Sequence, residues 1–231
     1  MKTIQPSSRV LSVEYAIRDV LAAAKALEKK GRKIYYLNIG DPNKFDFVPP
    51  AHVLKAFADA VMDPKYSCYA PSEGDPELRE AIARREGVTA EDVMITAGMS
   101  EGISFLFASL LNPGDNVLQP SPSYPLYMTM SRFYDGKDNY YKCDGNWLPD
   151  VDDIRKKINP RTRAIVVINP NNPTGAVYEK KRIKEIVDLA GEHGIPIISD
   201  EIYDKLILEG EVVHTKDVAR DVPVISGNGI S

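Results

Sequence analysis

Cysteine, histidine and tryptophan are scarce: two, three and one respectively in 231 residues. Cys68 and Cys143 lie far apart, so neither a disulfide framework nor a Cys-x-x-Cys metal clasp is available. His52, His193 and His214 are too scattered for a zinc set. No apolar run approaches the roughly 20 residues of a membrane span, and the first residues lack the apolar centre of a secretory signal. A basic surplus is missing as well. The formal net charge is −4 and the pI near 5.5, which argues against a nucleic-acid partner. The one basic cluster, at 180–184, opens a helix pattern carrying Ile183, Ile186, Val187 and Ala190, and reads as its solvated face. Asn172-Pro-Thr174 has the outline of a glycosylation triplet, but its central proline excludes it. The chain reads as cytoplasmic, with reduced thiols and no membrane contact.

Among what is present, the 43% hydrophobic content is enough for a sizeable core. Apolar spacing predicts helices over 13–30, 49–63, 77–86, 103–111 and 182–190, with Gly31 and Gly87 as stops. Short apolar runs predict strands over 34–39, 92–96, 116–119, 163–168, 195–199 and 222–226. Strands alternating with helices indicate a three-layer αβα fold around a mostly parallel sheet.

Chemistry-bearing residues gather where these strands end. Asp200 closes an apolar run, and Tyr203 follows three residues later. An acid at the carboxyl end of a buried strand lies where open α/β sheets bind ligands. Burial makes an unpaired carboxylate costly, so Asp200 is expected to face a cation or a proton donor. Asn169-Pro-Asn-Asn-Pro-Thr-Gly175 forms a polar turn after another strand, with Asn172 as an amide donor and Asn172-Pro173 a candidate cis bond. Tyr124 sits in a proline-fenced loop, placed either to stack on a flat ligand or simply to pack the loop. Gly98-Met-Ser100 turns from strand to helix, offering free N–H groups and a hydroxyl to a phosphate; a plain helix cap fits the same residues.

As a set these segments resemble the class I/II aminotransferases of pyridoxal-phosphate fold type I. The resemblance rests on the 169–175 turn, on Ser199-Asp-Glu-Ile-Tyr203 and on Ser226-Gly-Asn-Gly-Ile-Ser231. Ser8-Arg-Val-Leu-Ser-Val-Glu-Tyr-Ala-Ile-Arg18 and Asn38-Ile-Gly-Asp-Pro42 are most similar to archaeal alanine/aspartate aminotransferases. It implies an N-terminal segment of a small domain over 1–42 and a cofactor-binding large domain over 43–231. The implied reaction moves an amino group from alanine or aspartate to a 2-oxo acid such as 2-oxoglutarate, through a cofactor aldimine. A β-lyase or racemase using the same cofactor, and a non-catalytic cofactor-binding fragment, are the alternatives.

The resemblance also distributes roles. Asp200 would pair with the protonated pyridine nitrogen of pyridoxal 5'-phosphate. Asn172 and Tyr203 would bond the ring oxygen, and Tyr124 would stack on the ring. Gly98, Met99 and Ser100 would cup the phosphate, with Ser231 adding a contact. Tyr69 would reach the phosphate of the neighbouring subunit, making a homodimer the active unit, and Gly40 would offer its backbone to the substrate carboxylate. Met99 departs from the pattern, since many relatives carry a small residue there. The Schiff-base lysine is expected directly after Ser231, in a longer protein that also supplies the substrate-binding arginine.

Overall fold

A computed structural model describes residues 3–11, 13, 16–45 and 47–229. The chain divides into two compact units, one of residues 1–15 with 96–231 and one of residues 16–95.

The smaller unit is helical. It holds α2 (Ala16–Glu28), α3 (Ala51–Met62) and α4 (Pro76–Glu86), while a short α1 (Ser8–Leu11) belongs to the other unit. Asp75 caps α4 by accepting from the Leu78 amide, and Gly87 ends it in the left-handed conformation that suits glycine. Neither expected strand in or beside this unit forms. Residues 34–39 form no strand, since no second strand lies among the described residues of the unit to pair with them. At 92–96 local bonding prevails. Thr89 and Asp92 form a reciprocal cap, the turn Ala90–Asp92 closes, and Arg79 takes the carbonyls of Ala90 and Val93.

The larger unit is built on five parallel strands. They are β1 (Asn116–Ser121), β2 (Asn139–Lys142), β3 (Thr162–Ile168), β4 (Ile197–Asp200) and β5 (Val224–Gly227), in the order β2-β1-β3-β4-β5. Helix α5 (Gly98–Leu110) precedes β1, and α6 (Pro125–Phe133), α7 (Val151–Lys157), α8 (Lys180–His193) and α9 (Thr215–Val218) connect the strands in turn. Strand periodicity divides the core in two. Ala164, Val166 and Ile168 of β3 pack with Ile103 and Phe107 of α5 and Tyr127 of α6. Ile165 and Val167 face the other way, onto Ile154 of α7 and Ile183, Ile186 and Leu189 of α8. The expected three-layer architecture is the one observed, and its sheet is wholly parallel.

Sequence reading passed over α6, β2 and α7. Strand β2 is only four residues of polar and aromatic character at the sheet's edge, too short for a pattern. Helix α6 begins on Pro125, at the first helical position proline tolerates, so a loop-like run hid a helix start. Strand order reverses between β1 and β3, because the chain leaves β1 for the edge strand β2 and then returns to β3. A crevice opens at the carboxyl ends of strands beside such a switch point.

The amino end of the sheet is tied by Asp115, which is buried and clasped by Arg163 through both carboxylate oxygens at 2.8 and 2.9 Å. The Arg163 guanidinium holds this carboxyl far below its usual range. The stabilisation is therefore complete above the ordinary carboxylate pKa of about 4 and fades as pH falls toward the depressed value. In urea titrations Asp115→Asn is expected to lower the unfolding midpoint at neutral pH. The gap from the unsubstituted protein should narrow steadily under strong acid, and a pH-independent gap would refute the assignment.

Candidate active site

Three strand ends and one helix start converge on a crevice of about 230 Å³ lined by Gly98, Met99, Ser100, Tyr124, Ile168, Asn172, Asp200, Ile202 and Tyr203. Seven of the residues singled out from sequence thus meet in one place. Gly40 and Tyr69 lie in the 16–95 unit, Tyr69 fully exposed, and Ser231 falls outside the described residues.

Asp200 ends β4 and is 4% exposed. Its Oδ2 accepts from the Tyr127 hydroxyl at 2.8 Å and its Oδ1 from the Ile202 amide at 3.3 Å. Burial pushes this carboxyl up; Tyr127 and the Ile202 N–H pull it down, and neighbouring Glu201 pushes it up again. The expected proton donor is therefore a phenol from α6, a residue that sequence reading did not single out. Its signal was available in part. Tyr127 stands three residues after Tyr124, on the same helix face, but only the folded chain brings it to β4.

The turn after β3 divides its three asparagines between scaffold and crevice. Asn169 accepts from the Tyr178 amide at 2.8 Å and donates to the Val213 carbonyl at 3.2 Å. Asn171 accepts from the Thr174 hydroxyl at 2.9 Å and closes the turn onto Gly175. Asn172 is left to face the crevice, where its Nδ2 lies 3.4 Å from the Tyr203 hydroxyl. An amide N–H and a phenol side by side form a pair of donors for one oxygen atom. The Asn172-Pro173 bond is cis, as are Ser121-Pro122 and Asn169-Pro170.

At the far end α5 begins on Gly98, whose φ of +71° is one that glycine adopts without strain. The first amides of a helix lack intrahelical acceptors and carry its positive dipole end, so Gly98, Met99 and Ser100 present a seat for an anion. Glu101 accepts from the Ala97 amide at 2.6 Å, at the residue before that seat. The Met99 side chain lies against Gly227 at the end of β5, so closely that a methyl group added at Gly227 would overlap its sulfur.

Beneath the crevice Glu201 is 2% exposed and fully engaged. Its Oε1 accepts from the Ser199 hydroxyl at 2.8 Å and the Thr215 amide at 3.1 Å, and its Oε2 meets His214 Nδ1 at 2.6 Å. Since Ser199 gives its single hydroxyl proton to the carboxylate, the Thr215 hydroxyl donates to Ser199 across their 2.7 Å contact.

The donor set fits one kind of ligand. A flat heteroaromatic ring with a basic nitrogen at one end and a phosphate at the other would meet a buried carboxylate, then a pair of donors, then a helix N-terminus. Among the described residues no cluster of histidine, cysteine and carboxylate offers a metal site. No described helix is long and apolar enough to cross a membrane.

Known proteins similar to this chain are numerous. The family model for aminotransferase class I and II matches residues 32–231. The glutamate-pyruvate aminotransferase AlaA of Escherichia coli is 43% identical over the whole chain and 59% of its own length. The aspartate/prephenate aminotransferase of Thermus thermophilus is 42% identical over 83% of the chain and 51% of its own length. A solved alanine aminotransferase of Pyrococcus furiosus superposes with a TM-score of 0.93 at 52% identity, covering 97% of this chain and 59% of that one. The chain thus spans less than two thirds of the length of these relatives.

Proposed function

The chain belongs to the class I and II aminotransferases, and from that premise we propose that its crevice binds pyridoxal 5'-phosphate in an enzyme that moves amino groups. The proposed donor is alanine or aspartate and the proposed acceptor a 2-oxo acid, 2-oxoglutarate first. The observation that carries this reading is Asp200, a buried carboxylate turned into a crevice whose other end is a helix N-terminus. When bound, the cofactor supplies a protonated ring that draws electrons from the substrate's α-carbon.

The chain's own residues hold and tune that ring. Asp200 keeps the proton on the ring nitrogen by offering a negative charge in a site of low polarity. Asn172 and Tyr203 donate to the ring oxygen and Tyr124 covers one face. The amides of Gly98, Met99 and Ser100 seat the phosphate, and Ser231 adds a contact. Gly40 offers its backbone to the substrate carboxylate. In a homodimer Tyr69 of the partner subunit reaches the phosphate. An exposed apolar face of α3, with Val53, Phe57 and Val61 one turn apart, supports a surface that is covered on assembly. We place the enzyme in the cytoplasm, with no nucleic-acid partner.

The test is stoichiometry. The full-length protein, loaded with pyridoxal phosphate and given alanine and 2-oxoglutarate, is expected to form pyruvate and glutamate in equal amounts, or oxaloacetate and glutamate when aspartate replaces alanine. Ammonia released without glutamate from both donors would refute transamination.

A further inference from the structure

We propose that Tyr127 is a positioning residue for the cofactor site, its hydroxyl holding Asp200 ionised and aimed at the ring nitrogen. This role rests on the pyridoxal phosphate reading above and falls to a residue that does not itself touch the cofactor there. Tyr127 does not line the crevice. It is completely buried behind it and reaches Asp200 Oδ2 at 2.8 Å.

A phenol has one proton to give, and an ionised carboxylate can only accept, so the bond has one polarity: Tyr127 donates. Asp200 is left with little else. Its remaining protein donor is the Ile202 amide at the longer distance of 3.3 Å. The titratable groups around it are Glu201 beside it in the chain, Tyr127 from α6, and Tyr124 and Tyr203 around the crevice. Among the described residues no cation stands with them, and Glu201 acts against ionisation. Tyr127 therefore provides the strongest single support that the described side chains give to the charged form. Hydrogen bonds to a charged acceptor are also worth more than neutral ones.

The ring of Tyr127 cannot drift. Phe107 lies 6.1 Å away at a tilt of 52°, and Tyr124 meets it edge-on at 6.5 Å and 83°. Tyr124 is the ring-stacking residue of the proposed function. One buried side chain thus links the residue covering the cofactor's face to the residue holding its nitrogen.

The experiment uses the full-length protein loaded with pyridoxal phosphate carrying nitrogen-15 in its ring, with the ring nitrogen's chemical shift followed against pH. In Tyr127→Phe the Asp200 charge loses its donor, the proton shared by the pair moves toward the carboxylate, and the ring-nitrogen shift at neutral pH is expected to move toward its unprotonated value. Turnover is expected to drop roughly tenfold or more with little change in KM for the amino acid. Fluorotyrosine at 127, a stronger donor of the same shape, is expected to move the neutral-pH shift further toward the protonated value. A Phe variant that binds cofactor with an unchanged ring-nitrogen shift overturns the proposal. Should that variant fail to fold, fluorotyrosine decides, and a shift identical to that of tyrosine overturns it equally. If the unsubstituted protein binds no pyridoxal phosphate, the cofactor reading fails first and takes this inference with it. A cofactor bound with a protonated ring but indifferent to residue 127 sinks the inference alone.

Discussion

Replacing Asp200 by asparagine or alanine is expected to lower amino-group transfer by roughly 10²–10³-fold, the usual cost of deleting one charge-stabilising group from a closed site. Asparagine keeps the shape and loses the negative charge, so the ring nitrogen would no longer be held protonated. Fold stability should move the other way. Burial pushes the Asp200 carboxyl up, which means the folded chain tolerates its charge less well than the unfolded chain does. Removing that charge is expected to raise the melting temperature of the cofactor-free Asn variant at neutral pH. The advantage should shrink as pH falls through the raised pKa, because the native acid then becomes neutral by itself. Thermal melts and steady-state rates on the same two proteins test both halves. Unchanged turnover in either variant would rule out the role given to Asp200.

Glu201 is expected to show the converse behaviour. Its carboxylate joins the end of β4 to His214 and to the first turn of α9 through three atoms, all held at 3.1 Å or less. Glu201→Ala strands the Ser199 hydroxyl, the Thr215 amide and the inner face of His214 without their acceptor. Breaking a buried pair in this way costs about 3 kcal/mol, which for a chain of this size lowers the melting temperature by on the order of 10 °C. Glu201→Gln keeps one acceptor oxygen and should lose less. Both variants are read by calorimetry. A Glu201→Ala melt within a degree or two of the unsubstituted protein would show that the network is not structural. Because the Glu201 amide also donates to the Gly227 carbonyl at 2.8 Å, the damage should spread along the carboxyl edge of the sheet and weaken cofactor binding too.

The contrast between these neighbours explains how much of the site was legible in sequence. Asp200, Asn172, Tyr124 and the Gly98 turn each follow or precede an apolar run, so strand-end logic finds them without coordinates. Glu201 was visible but mute, since its partners Ser199, His214 and Thr215 are joined only by the return of the chain through α9. Tyr127 was further from reach. Its bond to Asp200 spans 73 positions and depends on α6 lying over β1 and β3. No periodicity encodes that distance. The strand expectations followed the same physics. Runs at 116–119, 163–168, 195–199 and 222–226 found parallel neighbours and formed, whereas 34–39, equally apolar, has no partner among the described residues. Apolar alternation specifies what a segment is suited to, and pairing decides whether it happens.

The close seating of Met99 on Gly227 has an evolutionary corollary. These two positions are not free to vary separately: any side chain arriving at 227 must wait for a shorter residue at 99, and a shorter residue at 99 leaves a gap that a larger 227 can fill. Descendants of this gene should therefore exchange the two in tandem, and a lineage that altered only one would carry a reshaped start of α5 as its inheritance.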